Sequence, residues 1–304
     1  MQSKIKYLER KEIHIAKWDE CIDTATNGLI YAKSYYLDAM ADSWSGIILN
    51  DYKAVMPLTY KEKFGIQYVC MPAFVQQLGI FFKEQHSVQL INDMLAAGQQ
   101  NFKFGEYNFN YQNAHSTFTP KNNFILNLKE DYPVLRNNYK TDLNNNLAKA
   151  SQNGLHYSSG DDPKKAIVLF KKLYDQRLAI SESGYKKFEI LCNVLSQKQE
   201  AIIRQVLNTT NNELSIAICL KDKKRIYFVL SATTAEGRKL KANHFLIDNL
   251  NREFAGQHLL LDFEGSDIEG IAHFYKNFGS INQPYYFHRW NNLPWPISWT
   301  KDRL

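Results

Sequence analysis

Asp262, Glu264, Ser266 and Tyr275, all able to give or take a proton, lie close together in one stretch of the chain. The apolar run Leu259–Phe263 reads as a buried strand, and Glu264-Gly265 reads as the turn that ends it. Ser266, with Glu269 three residues on, matches a helix capping box. Ile268, Ile271, Ala272 and Tyr275 then recur at helical spacing, and Gly279 stands where a helix C-cap glycine belongs. This places two acids, a hydroxyl and a phenol at the carboxyl end of a strand, where ligands bind in open α/β sheets. The alternative is that strand and helix merely pack and that the caps are structural.

Several reaction types have no motif here. There is no G-x-x-x-x-G-K-[ST] loop, G-x-G-x-x-G run, G-x-S-x-G elbow or H-E-x-x-H helix. Cys21, Cys70, Cys192 and Cys219 are isolated from one another, so neither a zinc site nor a disulfide framework is expected, and a reducing cytoplasm is the default location. His244, His258 and His273 flank the strand-to-helix region as single residues, which are more often structural. The tail carries Tyr285, Tyr286, Arg289, Trp290, Trp295 and Trp299, which could stack a base or sugar or simply cover a sheet edge.

The elements that must hold these groups follow from length and patterning. A chain of 304 residues, 44% hydrophobic and 13% aromatic, has enough apolar side chain for about two domains. Its net charge of +6 suits anionic partners without demanding nucleic acid. No apolar run approaches membrane-spanning length. The first half reads as a strand, helices over Ile13–Ile22 and Tyr31–Trp44, strands at Gly46–Leu49, Ala54–Tyr60 and Ile66–Met71, a helix at Val88–Ala97 and strands at Phe102–Phe109 and Phe124–Leu128. Pro57 predicts an edge or a bulge. Met71–Ile80, with Gln76 and Gln77, could line a cleft or form an irregular connection. Tyr132–Asn153 reads as one amphipathic helix with a basic exposed face, either a solvated linker or a contact for phosphate. The second half repeats the order: a strand at Leu155–Ser158, a helix opened by Asp162-Pro163, a helix over Lys187–Val206 with Gly184 as the break before it, a hairpin of Leu214–Leu220 and Arg225–Ala232, a helix at Asn243–Phe254, the strand already described, and Tyr285–Trp290.

Ala272-His273-Phe274-Tyr275-Lys276-Asn277-Phe278-Gly279 resembles the A-x-x-[FL]-Y-x-x-x-G motif of GNAT-type N-acyltransferases. The doubled layout resembles most the FemAB-like branch, which joins two such domains and transfers aminoacyl groups from charged tRNA to amines of peptidoglycan precursors. The resemblance implies an α+β fold of two GNAT-like (acyl-CoA N-acyltransferase) domains, mixed sheets flanked by helices. It implies domains at 1–131 and 154–304 with a basic connector helix at 132–153. It also implies an acyl or aminoacyl transfer in which Tyr275 is the general acid and Asp262 and Glu264 are candidate bases for the amine. An acyl-CoA or aminoacyl-tRNA would be the donor substrate, with no tightly bound cofactor and no metal. The family's pyrophosphate loop, [QR]-x-x-G-x-[GA], falls on Glu236–Asn243, where Lys241 and Asn243 occupy the glycine positions. Arg238, Lys241, Asn243 and Ser266 are then the donor-binding candidates, acting by side chain in place of a backbone cradle. Gln76 and Gln77 are the acceptor-binding candidates.

Two other functions fit the same residues. A degenerate GNAT fold could bind without catalysing, and the lost glycines point that way. An open splay beside Asp262 favours the enzyme, and side chains filling it favour the binder. The basic connector could instead meet RNA, with affinity falling steeply in salt.

Overall fold

The computed structural model describes residues 4–84, 87–175, 180–296 and 298. The elements in chain order are β1 (Ile5–Glu9), α1 (Ile15–Thr24), α2 (Ser34–Met40), β2 (Ser43–Leu49), β3 (Ala54–Lys63), β4 (Ile66–Val69), β5 (Phe81–Phe82), α3 (Val88–Asn101), β6 (Phe104–Phe109) and β7 (Thr119–Lys121). Next come β8 (Phe124–Asn127), α4 (Tyr132–Asn137), α5 (Thr141–Ser151), β9 (His156–Ser159), α6 (Pro163–Tyr174), α7 (Glu182–Gln197), β10 (Ala201–Leu207), β11 (Glu213–Lys221) and β12 (Arg225–Thr233). The chain finishes with α8 (Ala235–Lys239), α9 (Ala242–Phe254), β13 (Leu260–Asp262), α10 (Glu269–Lys276), β14 (Ile281–Asn282) and β15 (Tyr285–Asn291). It divides into two compact units, Met1–Lys121 with Pro284–Leu304, and Asn122–Gln283. No helix among the described residues is long and apolar enough to cross a membrane.

The first unit is a mixed sheet in the order β1-β2-β3-β4-β6-β15-β7, with β5 also on β3. All its pairings are antiparallel except β4 with β6, which α3 connects. Trp18, Tyr31, Tyr36, Tyr107 and Phe109 fill the core. Pro57 lies inside an internal strand, opposite Gly46 of β2. It is tolerated because β3 is unpaired on its other side there, between the β5 pairing at Val55 and the β4 pairing at Tyr60. The Tyr107 hydroxyl donates to the Pro57 carbonyl instead. The helix expected over Tyr31–Trp44 is shorter. Lys33 and Ala41 are both extended, and Trp44 belongs to β2.

The second unit repeats the plan. Its sheet runs β14-β8-β13-β12-β11-β10-β9, and here β12 and β13 are the parallel pair, joined through α9. The shared order explains why the halves read alike: strand, two helices, an antiparallel run, a helix, then a parallel return. Three boundaries differ from those read in the sequence. β8 belongs to the second unit, as do residues 132–153, whereas β15 returns to the first. The connector is two helices, interrupted at Asn138–Lys140. Leu135, Leu143 and Leu147 sink from them into one cluster with Leu246, Ile247 and Leu250 of α9. At about 1.5–3 kcal/mol for each buried leucine, this is core rather than linker. The helix expected over Lys187–Val206 starts earlier, capped by Ser181, and contains Gly184. It ends at Gln197, and Ala201–Leu207 is strand β10, paired with β11.

Candidate functional site

The β12–β13 ladder is short. Arg225, Ile226 and Tyr227 pair with Leu260, Leu261 and Asp262, and there it stops. β12 continues to Thr233 with only β11 beside it. The chain leaving β13 turns away because Glu264 (φ 61°) and Gly265 (φ 77°) are both left-handed. A glutamate in that region costs about 1–2 kcal/mol. The two strands therefore part beyond Asp262, and the buried Phe228 and Phe263 stand in ring contact at 6.3 Å beside that point.

Asp262, the first candidate base, is paired on both oxygens. It is 1% exposed, and its Oδ2 accepts from Arg225 Nη1 at 2.7 Å. Arg225 is also buried, and its Nη2 donates to Gln283 Oε1 at 2.7 Å. The other oxygen, Asp262 Oδ1, accepts the Glu264 backbone N–H at 3.1 Å. A carboxylate so committed fixes the turn.

Glu264 is the opposite case. Its Oε1 is closed off from solvent and has no hydrogen-bond partner. Burial pushes the carboxyl up to about 8. Beside it the Tyr275 ring stacks on Phe263, centroids 4.5 Å apart and 19° from parallel, with Phe124 at 6.4 Å. Burial, then the charge of Glu264, then Tyr174 of α6 raise the Tyr275 phenol above its ordinary range, so it stays protonated. An acid shifted towards neutrality next to a phenol that keeps its proton has the chemistry an acid–base pair requires.

The helix carrying Tyr275 differs from expectation at its start and agrees at its end. The capping box does not form. α10 begins at Glu269, with Ile268 as an uncapped N-cap, and Ser266 Oγ accepts the Ile268 N–H in a local turn at 3.0 Å. The reason lies in Asp267, whose Oδ1 accepts both the backbone and side-chain N–H of Asn122 and so holds this link extended. Ser266 is thereby occupied. Gly279 is left-handed at φ 78°, and a Cβ there would lie 2.8 Å from Asn138 Cβ. The link between α4 and α5 is seated on the end of α10, where Lys140 N–H donates to the Asn277 carbonyl at 2.9 Å.

The loop before α9 contributes less than its charges suggest. Arg238 Nη1 donates to the Thr233 carbonyl at 2.8 Å. Lys241 is left-handed (φ 64°) at the N-cap of α9, and Asn243 Oδ1 accepts from Ser231 Oγ at 3.3 Å. His244, set aside in the sequence, stands edge-on to Phe274 at 4.9 Å and within 3.4 Å of Asn146 Nδ2. Burial and then Lys241 push it down to about 4, so it is neutral. Gln76 and Gln77 belong to the first unit. Gln77 is fully buried, its Nε2 donating to Gln76 Oε1 and its Oε1 accepting from Tyr111 N–H. Around them, Asn27, Asn110 and Asn113 satisfy the backbone of Leu78 and Ile80. Gln77 is therefore a buried support, and the stretch is a braced connection. Trp290 of the tail is likewise buried against the sheet, donating to the Phe102 carbonyl, and Trp299 lies outside the described residues. Among the described residues no group of three or more His, Cys, Asp or Glu side chains could hold a metal.

No protein-family model and no curated protein matches the sequence. Solved structures do match over nearly the whole chain. The crystal structure of FemX aligns with a TM-score of 0.64 at 13% identity, covering 96% of this chain and 98% of that one. The chain has the FemX fold. A conserved protein of unknown function from Bacteroides thetaiotaomicron aligns with a TM-score of 0.60 at 8% identity, over 95% of this chain and all of that one. The C-terminal domain of a candidate lysylphosphatidylglycerol synthetase from Agrobacterium fabrum aligns at 0.54 and 11% identity, over 93% and 95%. At such identities the likeness establishes the fold, two GNAT-like domains with mixed sheets flanked by helices, which is the architecture the Tyr275 motif implied.

Proposed function

We propose that the second unit transfers an acyl or aminoacyl group to an amine, in the manner of the FemAB-like branch. The observation that carries this reading is the half-buried Glu264 carboxyl, its Oε1 closed off and unpartnered, beside the Tyr275 phenol where β12 and β13 part. In the reaction Glu264 takes one proton from the incoming ammonium. The nitrogen attacks the carbonyl carbon, the C–N bond forms, and the C–O or C–S bond to the donor breaks. Tyr275 gives its proton to the leaving oxygen or sulfur and is reprotonated from the nitrogen. The donor is an aminoacyl-tRNA or an acyl-CoA, and a cell-wall precursor amine is the acceptor to try first. The shared fold with a candidate lysylphosphatidylglycerol synthetase, whose name specifies a lysyl group, favours an aminoacyl donor. The donor's phosphates would meet Lys241 and the exposed Arg238, and no glycine cradle assists them.

The test is transfer of labelled amino acid from charged tRNA, and of acetyl from its coenzyme A thioester, to a panel of primary amines. Tyr275→Phe and Glu264→Gln should each lower turnover about 10²-fold or more. Full activity in both variants refutes the roles. A second reading, binding without transfer, is favoured by Lys241 and Asn243 at the glycine positions of the family's pyrophosphate loop. It predicts ligand-induced stabilisation, about 2.7 kcal/mol at a hundredfold excess over Kd, with no product from any donor.

A further inference from the structure

The two most exposed large apolar side chains of the described residues belong to the first unit, and the sheet register brings them to one rim. Phe64 is 91% exposed and Trp295 is 85% exposed. Phe64 tops the β3–β4 hairpin, just beyond the pairing of Lys63 with Ile66. β4 runs parallel to β6 with Val69 beside Gly105, so the hairpin tip projects past the start of β6. β15 runs the other way along β6, with Asn291 beside Phe104 and the Asn292 N–H donating to the Lys103 carbonyl. The chain after β15 therefore leaves the sheet at the same rim. It doubles back at once, because Asn291 Nδ2 donates to the Ser298 carbonyl at 2.9 Å, and Trp295 lies in the bend so formed. β4, β6 and β15 are consecutive in the sheet, so the strands that carry the two rings stand roughly 10 Å apart.

A single exposed ring on a protein surface needs no explanation. Phe64 does, because its backbone is disfavoured as well. Phe64 and Gly65 are both left-handed, at φ 54° and 74°, the pattern of a type I′ hairpin turn. Asparagine, aspartate and glycine suit that turn, and an aromatic residue in it is strained. No burial offsets the strain, since Lys61 to Gly65 are all exposed and the ring's neighbour is the adjacent Lys63 Nζ, at 5.5 Å.

Shape and charge identify the partner. Between the two rings lies the start of β6, with Asn101 and Lys103 both exposed, so the rim offers no continuous apolar face to a folded protein. A lipid interface needs none, because Phe and Trp rings enter it singly and settle at the headgroup level. Lys63 and Lys103 stand beside the rings against one acid of the hairpin, Glu62, while Lys61 and Asp42 pair with each other at 3.3 Å. Two lysines against one carboxylate favour anionic headgroups.

We infer that this rim docks the protein on the surface of an anionic bilayer, with Phe64 and Trp295 entering the headgroup layer and Lys63 and Lys103 meeting lipid phosphates. The surface lies wholly in the first unit and does not depend on the transfer reaction proposed for the second.

The test is co-sedimentation of the full chain with vesicles of equal parts phosphatidylcholine and phosphatidylglycerol, and with vesicles of phosphatidylcholine alone. The chain should pellet with the mixed vesicles, bind the neutral ones more weakly, and be released as salt rises. Phe64→Asn suits the turn, so its melting temperature should hold or rise while its vesicle affinity falls roughly tenfold. Trp295→Ser should weaken binding comparably, and the double variant should stay in the supernatant. Equal binding to both vesicles overturns the inference, as does undiminished binding by the folded double variant. Failure of the unsubstituted chain to pellet with either vesicle overturns it too. If sedimentation velocity without lipid shows a dimer that Phe64→Asn dissociates, the rim is a contact between copies and the inference falls. Transfer to a soluble amine should be the same in Phe64→Asn as in the unsubstituted protein, so failure of docking and failure of catalysis are read from different assays.

Discussion

Replacing Glu264 by glutamine should make the protein more stable, and by an amount that depends on pH. The carboxyl ordinarily releases its proton near 4.5, and burial raises this to about 8 in the folded state. Between those values the folded chain holds a proton that the unfolded chain has lost. Stability from this group is therefore fully present below about pH 4.5 and falls as pH rises through about 8. Each pH step in that window costs about 1.4 kcal/mol, so the loss is about 3 kcal/mol at pH 7 and about 5 kcal/mol above pH 8. Glutamine has the same shape and no proton to lose. The stability of Glu264→Gln minus that of the unsubstituted protein should be small at pH 4.5, about 3 kcal/mol at pH 7 and about 5 kcal/mol at pH 9. All other titrating groups are common to both proteins and cancel. Urea unfolding followed by far-UV circular dichroism across this range supplies the difference curve. A difference that does not change with pH, or that favours the unsubstituted protein as pH rises, would show that the carboxyl is well solvated or paired. The acid–base role would fall with it.

Further predictions concern the frame around this acid. Asp262→Asn leaves the buried Arg225 without its counter-charge, and should cost about 3–5 kcal/mol in a urea titration. Two glycines of the same segment should behave in opposite ways. Gly279→Ala forces a Cβ into left-handed backbone and against Asn138, and should lower stability by more than about 1 kcal/mol. Gly270→Ala meets nothing within 4 Å inside a helix and should raise it by about 0.5–1 kcal/mol, read as an increase in melting temperature. If Glu264 is the base, the rate of transfer should climb with pH up to about 8 and level off, and Glu264→Gln should flatten that limb.

The repeated layout was legible because it is written in periodicity. Apolar spacing marks the two helices, the hairpin and the parallel return of each unit. Tyr275 was legible because its motif is local. What could not be read was set by partners distant in sequence. Asp262 and Glu264 look equivalent along the chain. Arg225, paired with the first and not the second, separates an anchor from a free acid. The Ser266 capping box has the right letters, but Asn122 pulls Asp267 out of helical geometry. Ile202 and Val206 continue the helical spacing of α7, and their β-branched run was the available sign of a strand. The turn at Gln199, left-handed at φ 57°, makes the break. The basic connector was read by its charge, whereas its buried leucines decide where it belongs.

The position of β15 has a consequence for how the molecule is made. In the first unit this strand lies between β6 and β7, so both wait for it. The ribosome delivers all of Asn122–Gln283 before β15 appears, and the two ends of that segment are already tied, with Asn123 N–H on Asn282 Oδ1 and Asn282 Nδ2 on Asn122 Oδ1. The second unit can therefore close as a self-contained insert while the first still shows two unsatisfied strand edges. During synthesis the part bearing Glu264 and Tyr275 is complete early, and the half without them is the one exposed to misassociation and most in need of a chaperone.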